Sequence, residues 1–236
     1  SFSIAAYWYD LFYYQKYLDK LYLPSLEMSA YVPLVKKERH EALPPGHSIS
    51  PSQLQDSTAN TSSKLNIFYV GGMSEHYQMH KLFEVLRELK GVQLTVCTRE
   101  AEWASVQHEY LPIPNNIEIV HLNGTEMEER LRLADILSLF VRPSEYWAFA
   151  SPVKLYEYIG HAKPIIATQG SLAGSFVEKN RLGWNLPYST EALIKLLTNI
   201  RENPEALIKI TDHMKGLAEQ HTWQARAKKV IEDLAQ

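Results

Sequence analysis

From residue 65 onward, short hydrophobic runs alternate with amphipathic segments whose apolar positions have the period of an α-helix. The hydrophobic runs are typical of buried β-strands and cover residues 65–70, 92–97, 117–122, 136–141, 164–168 and 183–186. The helical pattern covers residues 80–89, 101–110, 126–134, 151–160, 172–180, 190–202, 204–220 and 222–234. Strands that alternate with helices through short connections predict an α/β fold, in which helices cover both faces of a parallel sheet.

The first part of the chain has a different pattern. Residues 4–19 are rich in aromatic side chains, and apolar groups wrap much of the predicted helix. This is typical of a helix buried between layers, with a membrane-surface or partner-binding helix as the alternative. Three elements are expected to follow. They are a strand at 20–24, a helix that Ser25 caps and that runs to about residue 36, and an edge strand at 40–43.

The chain divides at a polar segment. Residues 49–63 are mainly Ser, Thr, Pro, Gln and Asn with few apolar groups, a composition typical of a linker. The predicted organisation is therefore a segment 1–48, the linker 49–63 and an α/β domain 64–236.

A helix start near residue 151 is the strongest candidate for chemistry. Ser151 suits the N-cap and Pro152 the first helical position, so we expect uncovered N–H groups that attract phosphate. Lys154 lies in the first turn, a poor place for a cation unless an anion is nearby. Glu157 follows three residues later, so both side chains share one face of the helix. The spacing fits a ligand with a pyrophosphate at the cap and a sugar hydroxyl at Glu157.

Other candidates lie in the loops that follow the predicted strands. Ligands of such sheets bind outside the carboxyl ends of the strands. Gly71 and Gly72 come directly after the first strand of the domain and allow a ligand to approach the backbone closely. Arg99 lies on the neighbouring loop, and its guanidinium fork suits a diphosphate.

Several of these stretches together resemble one protein family. They occur in the right order along residues 64–236, which is more specific than any single motif. The domain is similar to the Rossmann-like, C-terminal nucleotide-sugar-binding domain of a GT-B glycosyltransferase of the family 4 type. The stretches that carry the resemblance are Tyr69-Val70-Gly71-Gly72, residues 116–124, Ala134-Asp135-Ile136, Pro143-Ser144, residues 151–158, residues 163–167, Gly183-Trp184 and His221-Thr222-Trp223.

The resemblance implies an activity. Such enzymes transfer a sugar, here of the hexosyl type, from a nucleotide-diphosphate donor to an acceptor, generally with retention of configuration and without a metal or other cofactor. The acceptor is expected to be a glycan, a lipid or a small molecule. Residues 1–48 would then be the end of the N-terminal acceptor domain, and the chain an incomplete enzyme, so its catalytic residues are not assigned.

The resemblance also implies roles for residues. Glu157 matches the second glutamate of the family's paired-glutamate motif and would hold the donor ribose. The backbone from Ser151 through Pro152 to Val153, together with Lys154, would face the diphosphate. Phe149 stands where the family carries the first glutamate, so the transferred sugar would be held by backbone amides or by Glu145. Further donor-binding candidates are Lys81, which follows the glycine turn, and Asn123.

Composition narrows the function classes. Lys and Arg number 24 against 27 Asp and Glu, and the net charge of −3 argues against a nucleic-acid partner. Cys97 is the single cysteine, which excludes a disulfide within the chain and suits a reducing, cytoplasmic compartment. No apolar run approaches the ~18 residues of a membrane span and no signal peptide is evident, so any membrane association is expected to be peripheral. His76, His80 and His108 do not have convincing metal-ligand spacing.

Other functions remain open at this level. A non-catalytic module that binds a nucleotide sugar or a partner is the main alternative, because the first glutamate of the motif is absent. A sugar-nucleotide epimerase is a second one, although no clear acid–base set supports it. A dehydrogenase is disfavoured, since no Gly-x-Gly-x-x-Gly follows the first strand.

Overall fold

The computed structural model describes residues 2–49 and 64–235. The strands are β1 (Leu21–Leu23), β2 (His40–Ala42), β3 (Leu65–Val70), β4 (Val92–Cys97), β5 (Ile117–Val120), β6 (Ile136–Leu139), β7 (Ile165–Thr168) and β8 (Gly183–Leu186). The α-helices are α1 (Phe2–Tyr17), α2 (His80–Glu88), α3 (Glu100–Val106), α4 (Gly124–Leu133), α5 (Glu145–Phe149), α6 (Val153–Gly160), α7 (Leu172–Lys179), α8 (Thr190–Glu202), α9 (Glu205–Ala218) and α10 (Trp223–Leu234). Short 3₁₀ turns cover Leu26–Tyr31, Lys37–Arg39, Glu75–Tyr77, Gln107–Glu109 and Glu219–His221.

Strands β3 to β8 form one parallel sheet in the order β5-β4-β3-β6-β7-β8. The chain winds outward from β3 in one direction and then from β6 in the other, so the strand order reverses between these two central strands. This doubly wound arrangement confirms the predicted Rossmann-like fold, and it opens a crevice at the carboxyl ends of β3 and β6.

The alternation of side chains along β3 separates two hydrophobic cores. Ile67 and Tyr69 point to one face, where they pack with buried residues of α2 and α8. Phe68 points to the other face, where α6, α7 and α9 supply the buried side chains. Because both faces are covered, the strands are apolar throughout rather than alternating, which is why the sequence shows continuous hydrophobic runs.

The structure corrects the predictions for residues 142–150 and for the segment after Ser25. The segment 142–150 was expected to be a loop, but its second half forms α5, with Trp147 only 4% exposed. The helix expected from Ser25 to about residue 36 is a 3₁₀ turn that ends at Tyr31, since Pro33 disfavours a helical residue before it. Ser25 is the N-cap residue, as predicted, but its hydroxyl makes no capping bond and donates instead to the Phe149 carbonyl at 2.8 Å.

Helix α1 is exposed, so the prediction of a helix buried between layers is wrong for this chain. Leu11 is the buried side chain of the helix, at 1% exposure. The exposed large side chains are Ile4, Tyr7, Trp8, Tyr9, Phe12, Tyr13, Tyr14 and Tyr17. Apolar groups on all sides of a helix do not specify which side is covered. Here several rings contact each other along the helix, edge-on or tilted in most pairs and stacked between Tyr13 and Tyr17.

Residues up to 49 pack against the C-terminal helices. The Tyr22 hydroxyl donates to the Asp233 carboxylate at 2.7 Å, and Lys20 forms an ion pair with Asp233 at 3.2 Å. His47 is buried and exchanges backbone hydrogen bonds with His221 and Trp223. The segment therefore has its own attachment to the domain.

The division predicted at 49–63 stays a prediction, because residues 50–63 lie outside the described residues. Among residues 2–49 and 64–235, no helix is long and apolar enough to cross a bilayer.

Candidate functional site

Gly71 and Lys154 meet in the crevice between β3 and β6. Gly71 follows β3 directly, and its φ of +143° is a conformation that a residue with a side chain rarely adopts. A Cβ atom at this position would collide with the Lys154 ammonium. The backbone turn therefore favours glycine strongly, and the end of the Lys154 side chain fills the space beside it.

Two tyrosine rings hold the Lys154 ammonium. Its Nζ lies 4.6 Å from the centroid of the Tyr69 ring and 4.5 Å from that of Tyr77, distances at which a cation is attracted to the ring face. It also donates a hydrogen bond of 3.2 Å to the Tyr69 hydroxyl. That hydroxyl donates in turn to the Gly72 carbonyl at 2.6 Å, which fixes the glycine turn.

The Lys154 ammonium has no salt-bridge partner among the described residues. Burial lowers the pKa of Lys154 to about 8, and the more distant carboxylates of Glu157 and Glu102 only partly oppose this shift. The side chain is thus still mostly protonated at neutral pH but has lost much of its hydration. A cation in this state binds an incoming anion more strongly than an exposed lysine does.

The start of α6 differs from the sequence prediction. Pro152 is the N-cap and Val153 the first helical residue, so Ser151 is not the cap and Pro152 is not at the first helical position. The Ser151 hydroxyl instead lies 3.0 Å from the Tyr156 hydroxyl. Leu155 N–H already donates to the Pro152 carbonyl, which leaves the amides of Val153 and Lys154 as the uncovered donors of the first turn.

Glu157 lies one turn beyond Lys154 on α6. Its side chain is exposed, yet the surrounding protein removes enough water to raise the pKa of its carboxyl, while the Lys154 ammonium lowers it. This mutual electrostatic effect agrees with the two groups sharing one side of the helix, as the spacing predicts.

Arg99 is linked to the glycine turn indirectly, because its ion-pair partner Glu102 also binds the backbone of the turn. The sequence did not indicate this role of Glu102. The Arg99 side chain is 86% exposed and lies 3.6 Å from Glu102. Glu102 also accepts the Met73 N–H at 3.0 Å. Arg99 therefore lies at the exposed edge of the turn, held there by a surface ion pair, while Glu102 anchors the backbone just after Gly72.

The three further donor-binding candidates make none of the contacts described above around Lys154. The Lys81 ammonium pairs with Glu84 at 2.9 Å, and its remaining neighbours are Tyr188 and Glu191, a set different from that around Lys154. Asn123 is the N-cap of α4 at the carboxyl end of β5, although its side chain makes no capping bond. Glu145 is the exposed first residue of α5.

Phe149, which stands at the position of the motif's first glutamate, lies against the N-terminal segment. Its ring packs on Tyr31, with centroids 4.7 Å apart. Tyr69, Tyr77 and Glu102 are the site residues that sequence reasoning missed. Only Tyr69, which lies two residues before Gly71, had a positional signal; the other two depend on how the loop and α3 pack.

The histidines near the site have other partners than a metal. The His76 ring stacks on Tyr146, and His80 stacks on Tyr110 while it contacts Glu109 at 3.1 Å. In the part of the chain that the structure describes, no three His, Cys, Asp or Glu side chains are grouped as a metal site requires.

Comparison with known proteins defines the fold class. No protein-family model and no curated protein sequence matches the chain. Among solved structures, it is similar to HepE from Anabaena in complex with UDP and glucose, with a TM-score of 0.73 and 14% identity over 97% of this chain and 66% of that one. The fold is that of the GT-B glycosyltransferases.

Two other solved structures agree with this assignment of the GT-B fold. A glycosyltransferase from Rickettsia africae gives a TM-score of 0.73 at 15% identity, over 94% of this chain and 65% of that one. Sucrose-phosphate synthase from Thermosynechococcus elongatus gives a TM-score of 0.69 at 14% identity, over 95% of this chain and 60% of that one. The chain thus spans about two thirds of the length of the GT-B structures that it matches.

Proposed function

We propose that this chain is the donor-binding part of a glycosyltransferase, and that it binds a nucleoside diphosphate sugar. The observation that carries the proposal is the Lys154 ammonium, which is partly desolvated, lies between two tyrosine rings and has no salt-bridge partner among the described residues. The diphosphate would lie on this ammonium, on the amides of Val153 and Lys154, and against the bare backbone of Gly71.

The same groups would assist the transfer of a hexosyl group. In that reaction the bond between the anomeric carbon and the β-phosphate oxygen breaks, and a bond from an acceptor hydroxyl oxygen to the same carbon forms as that hydroxyl loses its proton. Negative charge grows on the departing diphosphate, where a cation and two amide donors stabilise it most. Retention of the anomeric configuration is part of the proposal and is supported by the family resemblance.

The similar structures support the choice of ligand. HepE has been crystallised with UDP, with UDP and glucose, and with UDP-glucose. Two observations support a nucleoside diphosphate sugar as the ligand of this chain: its fold is shared with HepE, and its own crevice holds a partly desolvated cation.

A non-catalytic donor-binding module is a second candidate, favoured by one observation. Phe149 occupies the position of the first motif glutamate, and its ring is committed to Tyr31. Turnover of a nucleotide sugar by the full-length protein, and its loss in a Lys154→Met variant, would establish the enzyme; donor binding without any turnover would establish the module.

Glu157→Ala is expected to weaken nucleoside diphosphate binding by about tenfold, because the ribose hydroxyls lose their acceptor. The sign of the change is informative. A carboxylate that merely lies near the diphosphate repels it, so removing a bystander would strengthen binding. Isothermal titration of wild type and variant with UDP, GDP and ADP measures the change, and a thermal melt checks that the exposed substitution leaves folding intact.

The matched control for this experiment is Glu202→Ala, which removes an exposed helical glutamate at the end of α8. It should leave both affinity and stability unchanged. Equal or tighter binding by Glu157→Ala would refute the ribose contact.

The affinity for the diphosphate is expected to fall as the pH rises above about 8. Lys154 must be protonated to bind the phosphates, and burial lowers its pKa to about 8 in the free protein, so each further pH unit should cost about tenfold in affinity until the bound-state pKa is reached. Titrations of the tightest-binding nucleoside diphosphate at about pH 7.0, 8.5 and 9.5, settings that bracket the pKa of Lys154, measure this slope. Lys154→Met should abolish it, and an unchanged slope in that variant would show that another group titrates.

A further inference from the structure

Two exposed rings, those of His76 and Tyr146, lie next to Tyr77 and Trp147 beside the proposed phosphate site. We propose that the His76 imidazole and the Tyr146 phenol form an aromatic platform that binds the sugar of the donor. This inference rests on the proposed function, since it places the sugar of the same ligand whose diphosphate contacts Lys154.

The platform is a stacked pair at the rim of the crevice. The two ring centroids are 5.0 Å apart and the ring planes are inclined by 28°. Both residues are exposed, and Tyr146 keeps 38% of its surface accessible. His76 lies in the turn Glu75–Tyr77, which follows the glycine pair, and Tyr146 lies in α5. Each ring therefore comes from one of the two loops that flank the crevice.

A buried tryptophan fixes the pair before any ligand arrives. Trp147 is 4% exposed, and its indole N–H donates to the His76 carbonyl at 2.5 Å. The same indole packs edge-on against the Tyr77 ring, with centroids 5.2 Å apart. The two loops are thereby joined, so that a ligand that contacts the platform does not have to order it and loses little binding energy to entropy.

The platform is next to the group that would hold the diphosphate. Tyr77 follows His76 directly, and its ring lies 4.5 Å from the Lys154 ammonium. Burial raises the pKa of Tyr77, and a hydrogen bond with the Tyr146 side chain raises it further. One tyrosine thus contacts both the cation and the platform. A hexose bonded to a β-phosphate at Lys154 would therefore be close enough to contact the platform.

The chemistry of the pair suits a pyranose ring. The C–H groups on one face of a pyranose are apolar and slightly positive, and an aromatic face is apolar with a negative quadrupole. The Tyr146 hydroxyl, the imidazole nitrogens and the neighbouring exposed Glu145 carboxylate supply polar groups for the sugar hydroxyls at the ring edge. Stacked aromatic rings with polar edges offer both kinds of contact.

The variant Tyr146→Ala distinguishes the contribution of the sugar to the affinity from that of the nucleotide. We expect the variant to bind a nucleoside diphosphate as wild type does, and to bind the matching nucleoside diphosphate hexose about fivefold more weakly. The probes are UDP with UDP-glucose and GDP with GDP-mannose, measured by isothermal titration. Tyr146→Phe keeps the ring and loses only the hydroxyl, so it should weaken hexose binding less than Tyr146→Ala does. His76→Ala removes the other half of the platform and should reproduce the loss.

The matched control is Tyr14→Ala, which removes a tyrosine of nearly equal exposure, 39%, from α1. It should change neither the affinity for the nucleoside diphosphate nor that for the nucleoside diphosphate hexose. Thermal melts of all variants show whether each is folded. An unchanged affinity of Tyr146→Ala and His76→Ala for the hexose-bearing ligands would overturn the platform and leave the proposed function intact. Equal weakening of the diphosphate and its sugar would also overturn it, because the rings would then only support the phosphate site. Failure of wild type to bind any of the four ligands would overturn the proposed function and the platform with it.

Discussion

Lys154→Met is expected to lower the affinity for nucleoside diphosphates by about 10- to 100-fold and to leave the free energy of unfolding within about 1 kcal/mol of wild type. Methionine has a similar length and fills the same space between Tyr69 and Tyr77. The loss in affinity follows from the missing charge-assisted hydrogen bonds to the phosphates.

The stability should change little because two effects oppose each other. The variant loses the attraction of the ammonium to two aromatic rings, but it also no longer buries a charge whose pKa is already lowered to about 8. A lysine that served only the fold would give the opposite pattern, a loss of stability with no change in binding.

A second buried lysine provides the control for this substitution. Lys163 is 8% exposed and interacts with Asp135, and burial lowers its pKa as well. Both residues precede their strands, β6 and β7, and so lie at the opposite edge of the sheet from the crevice. Lys163→Met should therefore leave nucleotide affinity unchanged. Wild-type affinity in Lys154→Met, or an equal loss in both variants, would contradict the assignment of the diphosphate to Lys154.

Gly183→Ala is expected to destabilise the protein by at least about 3 kcal/mol, since it combines backbone strain with a steric clash. Gly183 begins β8 with a φ of +151° and is paired in register with Ile165 of β7. A Cβ atom there would overlap the Ile165 carbonyl oxygen and lie 2.6 Å from its nitrogen. Backbone atoms of β7, which is paired on both sides, cannot move aside as a flexible side chain does. Urea unfolding followed by circular dichroism measures the loss.

The control is a glycine without these constraints. Gly216 lies within α9, and a Cβ atom there would have no heavy atom within 4 Å. Gly216→Ala should raise the free energy of unfolding by up to about 1 kcal/mol through helix propensity alone. Similar effects of the two substitutions would show that the close approach of β7 and β8 is not as described.

Much of the fold could be predicted because periodicity is a local signal. Strand β8 and helix α8 have the predicted bounds, and the order of strands and helices from β3 onward is as expected. The environment of α1 could not be predicted, since rings on every side of a helix do not indicate which side another element covers. Helix α5 was missed because five residues are too few to display a helical period.

The arrangement of the candidate site was predictable where it depends on position along the chain, and not where it depends on packing. Gly71 and Lys154 follow from the end of a strand and the start of a helix, and the structure brings them into contact. The Ser151 hydroxyl was expected to cap α6, but a tyrosine one turn later competes for it. The Glu102 contact to Met73 spans 29 residues of sequence, and no local pattern announces it.

The most direct test of the central claim is a crystal structure of the chain with a nucleoside diphosphate bound. We predict phosphate oxygens within hydrogen-bonding distance of the Lys154 ammonium and of the Val153 amide, with the ribose hydroxyls at the Glu157 carboxylate. A nucleotide bound elsewhere, with the Lys154 ammonium still enclosed by Tyr69 and Tyr77 and without an anion, would contradict the account.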